Sequence, residues 1–161
     1  VRAMGAAVGS YFRNSDKKVL FVASGGLSHD PPLPRWDDAT PEQRAMLLNR
    51  DSRTPESRAL RESRVIETGK KFARGEADIM DIAPEWDKQF MADCKSGDPS
   101  RFDSYNYKDM EAVAGHSSHE VRTWVAAFSA LHAVNPNYQV DLEYYRPIPE
   151  FIAGFGIMTA Q

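Results

Sequence analysis

The 161 residues suffice for one folded domain, and a content of 42% hydrophobic and 27% charged residues is that of an ordinary globular chain, not a disordered one. A formal net charge of −3 argues against nucleic acid as a partner, and no apolar stretch approaches the roughly 18 residues that suggest a membrane span. The single cysteine, Cys94, cannot form an internal disulfide, which fits a reducing cytoplasm and a structural thiol better than a nucleophile.

Val1, Met4, Val8, Tyr11 and Phe12 recur near the 3.6-residue period and predict an amino-terminal helix. Val19 to Val22 is a short β-rich apolar run without polar alternation, the pattern of a strand covered on both faces. Gly25 and Gly26 end it, and His29 follows on a loop stiffened by Pro31, Pro32 and Pro34. Loops at the carboxyl ends of strands are where open α/β sheets bind ligands. An imidazole with an ordinary pKa of roughly 6.5 suits proton transfer there. A histidine in that place can equally cap a turn or pack beside the prolines, so the loop alone leaves its role open. A serine hydrolase using Ser24 or Ser28 with His29 is disfavoured, because the nucleophile-elbow spacing is absent and adjacent Ser28 and His29 are poorly placed to hydrogen bond.

Pro41 to Asn49 reads as a short helix and Pro55 to Arg74 as a longer one. Ala59, Leu60, Val65, Ile66 and Phe72 supply the apolar side of the longer helix, and its arginines and glutamates the solvated face. Pro84 opens a further helix carrying Trp86, Phe90 and Met91 as core residues, and residues 97 to 107 read as a turn before another. A helix beginning near Ser117 turns Val121, Trp124, Val125, Phe128 and Leu131 inward, with Glu120 in its first turn. Ser117-Ser118-His119-Glu120 also fits a capping box, which spacing alone favours over a chemical role for Glu120. Tyr144 to Gly156 predicts one or two strands, with Arg146 either a fork for a substrate carboxylate or an ordinary surface residue. These elements predict an α/β fold with helices packed around a central, mainly buried sheet.

Ser24-Gly25-Gly26-Leu27-Ser28-His29 followed by Pro31-Pro32 closely resembles a segment of the class III extradiol catechol dioxygenases. The resemblance continues, in the family's order, through Pro84 to Met91, Ala114 to Phe128 and Tyr144 to Gly156. It implies the carboxy-terminal half of that fold: residues 1–161 as the later part of a catalytic domain whose polypeptides are about twice as long, with the amino-terminal half missing.

The resemblance also implies a chemistry. The family's iron-binding glutamate matches Glu120 in the Gly-x-x-x-x-Glu-x-x-x-Trp pattern from Gly115 to Trp124, which reverses the preference for capping. Non-haem Fe(II) is commonly held by two histidines and one carboxylate, and the family takes both histidines from the missing half. His116, His119 and His132 are assigned to iron by nothing in the family pattern. His132, late in its helix, also suits the helix dipole. His29 is the implied catalytic base and then acid, acting on a catechol such as 3-(2,3-dihydroxyphenyl)propionate, with dioxygen as co-substrate. The implied protein is a cytoplasmic homo-oligomer of aromatic catabolism, and the 161 residues alone are expected to be inactive. A dioxygenase for another catechol, such as protocatechuate, and a non-catalytic binding or stabilising domain are the alternatives.

Overall fold

The computed structural model describes residues 1–49 and 54–161. In chain order they form helices α1 (Arg2–Phe12), α2 (Pro41–Leu48), α3 (Pro55–Ala73), α4 (Pro84–Lys95), α5 (Tyr107–Ala114) and α6 (Arg122–Val134), then strands β1 (Val140–Ile148) and β2 (Ala153–Ala160). Short 3₁₀ turns cover Pro99–Ser104, His116–Val121 and Pro149–Phe151. No helix among the described residues is long and apolar enough to cross a membrane.

The chain divides into two compact units. The larger comprises Val1–Asp30, Met80–Ile148 and Ala153–Gln161. Its core joins Leu27, Phe90, Met91, Cys94, Phe102, Met110, Val121, Trp124, Val125, Phe128 and Tyr138. Phe90 is the hub, with aromatic contacts to Trp86, Phe102, Tyr105 and Trp124. Cys94 is wholly buried, and that burial pushes its thiol up, which makes it inert as a nucleophile.

The predicted amino-terminal helix forms, and it is the glycines that it buries. Met4 and Tyr11 are exposed, whereas Gly5 and Gly9 are buried against α6. A Cβ at Gly5 would lie 2.9 Å from Ala126 Cα, and one at Gly9 would lie 2.8 Å from Ala130 Cα. Close helix approach, not the apolar period, selects the buried face here.

A central buried sheet is not clearly shown among the described residues. The sheet among the described residues has two antiparallel strands, β1 and β2, and most β1 residues are exposed. Val19 to Val22 runs without strand hydrogen bonding, with Leu20 and Val22 about four-fifths exposed. An apolar run becomes a buried strand only when neighbours pair with its backbone and cover both faces, and no described residue pairs with this one. What persists of the prediction is a mixed helix and strand fold.

The smaller unit, Pro31–Ile79 with Pro149–Ile152, is built on local signals. Thr40 and Gln43 form a capping box at α2, and Thr54 caps α3 through the Ser57 amide. Gly69 on α3 lies under the turn at Glu150, where a Cβ would meet the Glu150 carbonyl. The apolar side expected on α3 is largely open, with Leu60 and Ile66 exposed.

Candidate active site

The His29 loop is held by backbone on both flanks. His29 N–H donates to Ala114 O at 2.9 Å, and Ser117 N–H donates to His29 O at 3.3 Å. Before it, Leu27 and Ser28 exchange hydrogen bonds with Gly154, and His29 bridges to Ala153 at the start of β2. Gly115 has φ 88°, a left-handed value that glycine adopts without strain, and a side chain there would run into His29 and Asp30. The helix after that glycine starts with a 3₁₀ turn and then becomes α6, and it fastens the loop with three side chains. Glu120 Oε2 accepts from Gly26 N–H at 2.9 Å, Thr123 Oγ1 donates to Ser24 O at 3.1 Å, and Trp124 Nε1 donates to Gly25 O at 3.1 Å.

This brings the two predicted site residues together. His29 Nε2 stands 3.7 Å from Glu120 Oε2, with the His29 side chain 13% exposed and that of Glu120 56% exposed. The other ring nitrogen, Nδ1, lies 2.8 Å from Leu27 O. A carbonyl oxygen can only accept, so Nδ1 carries a proton, and in the neutral ring Nε2 holds the lone pair on the side of Glu120. The ring also lies over Gly26, where a Cβ would be 2.9 Å from His29 Cε1. A base in this tautomer can take a proton from a group arriving at the open side of Glu120.

The capping box predicted over Ser117 to Glu120 does not form. Neither the 3₁₀ turn nor α6 has a side-chain cap, and the Glu120 carboxylate is turned to the Gly26 amide instead. The remaining histidines are engaged or buried: His116 Nδ1 lies 3.2 Å from Asp30 Oδ2, His119 Nε2 lies 2.9 Å from Glu111 Oε1, and His132 Nδ1 is buried. Arg146 is exposed on β1, next to Tyr145, and adjacent strand residues face opposite ways. Ser28 is wholly buried and its hydroxyl donates to Asp87, so it is no nucleophile for an incoming substrate.

Asp87 was not anticipated. It is wholly buried in α4 and accepts from Ser28 N–H, Ser28 Oγ–H and Tyr145 O–H, each at 2.7 Å. The Ser28 hydroxyl in turn accepts from Ala83 N–H at 2.9 Å. Gly154 makes room for this carboxylate, since a Cβ there would collide with Asp87 Oδ2. Burial pushes the Asp87 carboxyl above its ordinary range, against the three hydrogen bonds that pull it down, and burial beside Asp87 pushes the Tyr145 phenol up. The sequence did hold a signal, because Asp87 shares a helix face with Phe90, Met91 and Cys94 and a carboxylate on an apolar face needs partners.

Fe(II) of the two-histidine, one-carboxylate kind would find one fitting ligand here. Glu120 offers a half-exposed carboxylate with one internal hydrogen bond. Among the described residues no group of three His, Cys, Asp or Glu side chains is arranged to hold a metal ion. A cavity of about 560 Å³ lies against Trp86, Gln89, Asp93, Arg101, Tyr105 and Met110 and is lined by neither His29 nor Glu120.

Comparison with known proteins agrees with the motif order. The chain is 56% identical over its whole length to a 2,3-dihydroxyphenylpropionate/2,3-dihydroxicinnamic acid 1,2-dioxygenase of Rhodococcus rhodochrous, covering 51% of that protein. It is 58% identical over 99% of its length to the protein of the same name from Rhodococcus globerulus, and 42% identical to that of Escherichia coli, each covered to 51%. The chain thus spans about half the length of the curated relatives it matches. A family model described as the catalytic LigB subunit of aromatic ring-opening dioxygenase matches residues 1–156, and the chain belongs to that family.

Proposed function

We propose that this chain forms part of an Fe(II)-dependent extradiol dioxygenase that opens 3-(2,3-dihydroxyphenyl)propionate or a close catechol with dioxygen in aromatic catabolism. The observation that supports it most is the pairing of His29 Nε2 with Glu120 Oε2 at 3.7 Å, between residues far apart in the sequence. Glu120 is the iron ligand in this reading, and two histidines from outside the 161 residues complete the set. Bound iron supplies chelation of the two catechol oxygens and a site for dioxygen.

The chain's own residues do the rest. His29, its tautomer fixed by the Leu27 carbonyl, accepts a catechol hydroxyl proton at Nε2 and returns it as the ring opens. Glu120 holds negative charge at the centre without competing for that proton. The names of the relatives support the propionate-bearing substrate, and a panel including protocatechuate separates it from other catechols.

The test is His29→Ala in the iron-loaded full polypeptide. Ring cleavage is expected to fall by about 10²- to 10⁴-fold while iron content holds, the usual weight of a general acid-base group. Wild-type turnover by a folded, iron-loaded variant would remove His29 from the chemistry. The 161-residue chain alone is expected to show no substantial cleavage with added Fe(II); turnover there would mean that His116, His119 or His132 completes the metal site.

A further inference from the structure

One peptide group connects the buried carboxylate to the candidate base. The N–H of Ser28 donates to Asp87 Oδ1 at 2.7 Å, and the C=O of Leu27 accepts from His29 Nδ1 at 2.8 Å. These two groups belong to the same peptide unit. There is no cis bond among the described residues, so the N–H and C=O point in opposite directions from a rigid plane. Fixing one end fixes the other.

We propose that Asp87 is a positioning residue for His29, acting through the Leu27–Ser28 peptide group, which it holds with the Leu27 carbonyl turned to Nδ1. This deepens the ring-cleavage reading and rests on it for its consequence, though not for its geometry. Asp87 does not touch His29 or any site open to substrate. It pulls on the N–H end of the peptide, and a carboxylate there polarises the carbonyl at the far end, because hydrogen bonds in series reinforce one another. The arrangement has the logic of a hydrolase's histidine oriented by an aspartate, with a peptide group inserted between the two side chains.

The other contacts of Asp87 fit this task. Both hydroxyls that reach it, Ser28 Oγ and Tyr145 Oη, bond to Oδ2, which leaves Oδ1 to the Ser28 amide. Among the described residues no lysine or arginine forms a salt bridge with Asp87. A buried carboxylate kept without a lysine or arginine partner is an expensive feature for stability alone.

The experiment reads the tautomer of His29 by nitrogen-15 NMR, in the full polypeptide loaded with diamagnetic Zn(II), at a pH of about 8 where free imidazole is neutral. The His29 signals are identified by their loss in His29→Gln. The wild type is expected as the Nδ1–H form, although free histidine favours Nε2–H. In Asp87→Asn the Nε2–H share should rise, and in the iron enzyme kcat should fall about tenfold with KM and iron content within about twofold. That is the difference between a hydrogen bond to a charged and to a neutral acceptor. Phe128→Leu, a core change beside Tyr138, should alter neither tautomer nor kcat. A wild-type Nε2–H tautomer overturns the proposal, as does an Asp87→Asn protein whose His29 stays wholly Nδ1–H, or a Phe128→Leu protein with the same losses. Should Asp87→Asn not fold, Gly154→Ala, which pushes a methyl group against Asp87 Oδ2, takes its place with the same outcomes. If the tautomer follows Asp87 in a protein whose His29→Ala variant still cleaves catechol, the positioning stands and the catalytic reading falls.

Discussion

Two carboxylates grip the same short loop under opposite conditions. Asp87 takes the Ser28 amide, is wholly buried, and has both oxygens occupied by donors from the protein. Glu120 takes the Gly26 amide two residues earlier, and more than half of its side chain is open to solvent. A carboxylate satisfied inside the protein acts on the protein, whereas one that keeps an oxygen outward is available to something that arrives. Acidic residues near a histidine are therefore sorted by what already bonds them, not by how near they lie.

The largest expected effect tests the outward member. Glu120→Gln keeps the size and the bond to Gly26 but offers a neutral oxygen, and bound iron should be lost from the full polypeptide together with turnover. The loss in metal affinity should exceed the roughly 10- to 100-fold typical of groups behind the ligands. Circular dichroism and the melting temperature should stay near wild type, and metal analysis after gentle desalting is the deciding measurement. Iron retained at the wild-type level would put Glu120 in the same structural class as Asp87.

The inward member should fail differently. Asp87→Ala strands the Ser28 amide, the Ser28 hydroxyl and the Tyr145 hydroxyl around a cavity, and should destabilise the fold by about 2–5 kcal/mol in urea unfolding. Equal stability in this variant and in Glu120→Gln would erase the distinction.

A smaller effect sharpens it through pH. Burial raises the Asp87 carboxyl above its unfolded value, so the folded protein keeps this proton at pH values where the unfolded chain has released it. Below the ordinary carboxylate range, about 4, both states are protonated and the cost of a buried charge is absent. As pH rises from there through the raised value, that cost appears and stability falls. Urea midpoints of the wild type relative to Asp87→Asn should therefore decline with rising pH across this window. An opposite slope would mean that the three hydrogen bonds outweigh burial.

Much of this site was legible in the sequence because its parts are local. Gly26 marks a place where backbone and the His29 ring come close, Gly25 one where the backbone meets Glu120, and Pro41, Pro55 and Pro84 mark the first turns of three helices that form where expected. The serine-to-glutamate spacing at Glu120 favours a cap, and only the tertiary partner Gly26 shows that the carboxylate turns elsewhere. The failures share one cause. Val19 to Val22 has the composition of a covered strand, and Leu60 and Ile66 supply an apolar side to α3, but burial depends on which surface a neighbour presents. In α1 that neighbour rewards the absence of a side chain, at Gly5 and Gly9, which a hydrophobic pattern cannot score. Asp87 carries a signal in its apolar helix face, but its partners, the Ser28 amide and hydroxyl and the Tyr145 hydroxyl, lie far away in the sequence.

That last point bears on how the loop tolerates change. The link between Asp87 and His29 is carried by main-chain atoms of Leu27 and Ser28, so replacing either side chain leaves the connecting dipole in place. Of the twenty residues only proline lacks the N–H that the link requires, and at position 28 it would cut the connection outright. An alanine scan would therefore read position 28 as a serine that loses a hydroxyl contact and pass over what the peptide does. Drift in the side chains of this loop is cheap, while the wiring beneath them is inherited nearly unchanged by any sequence that keeps the same path of the chain.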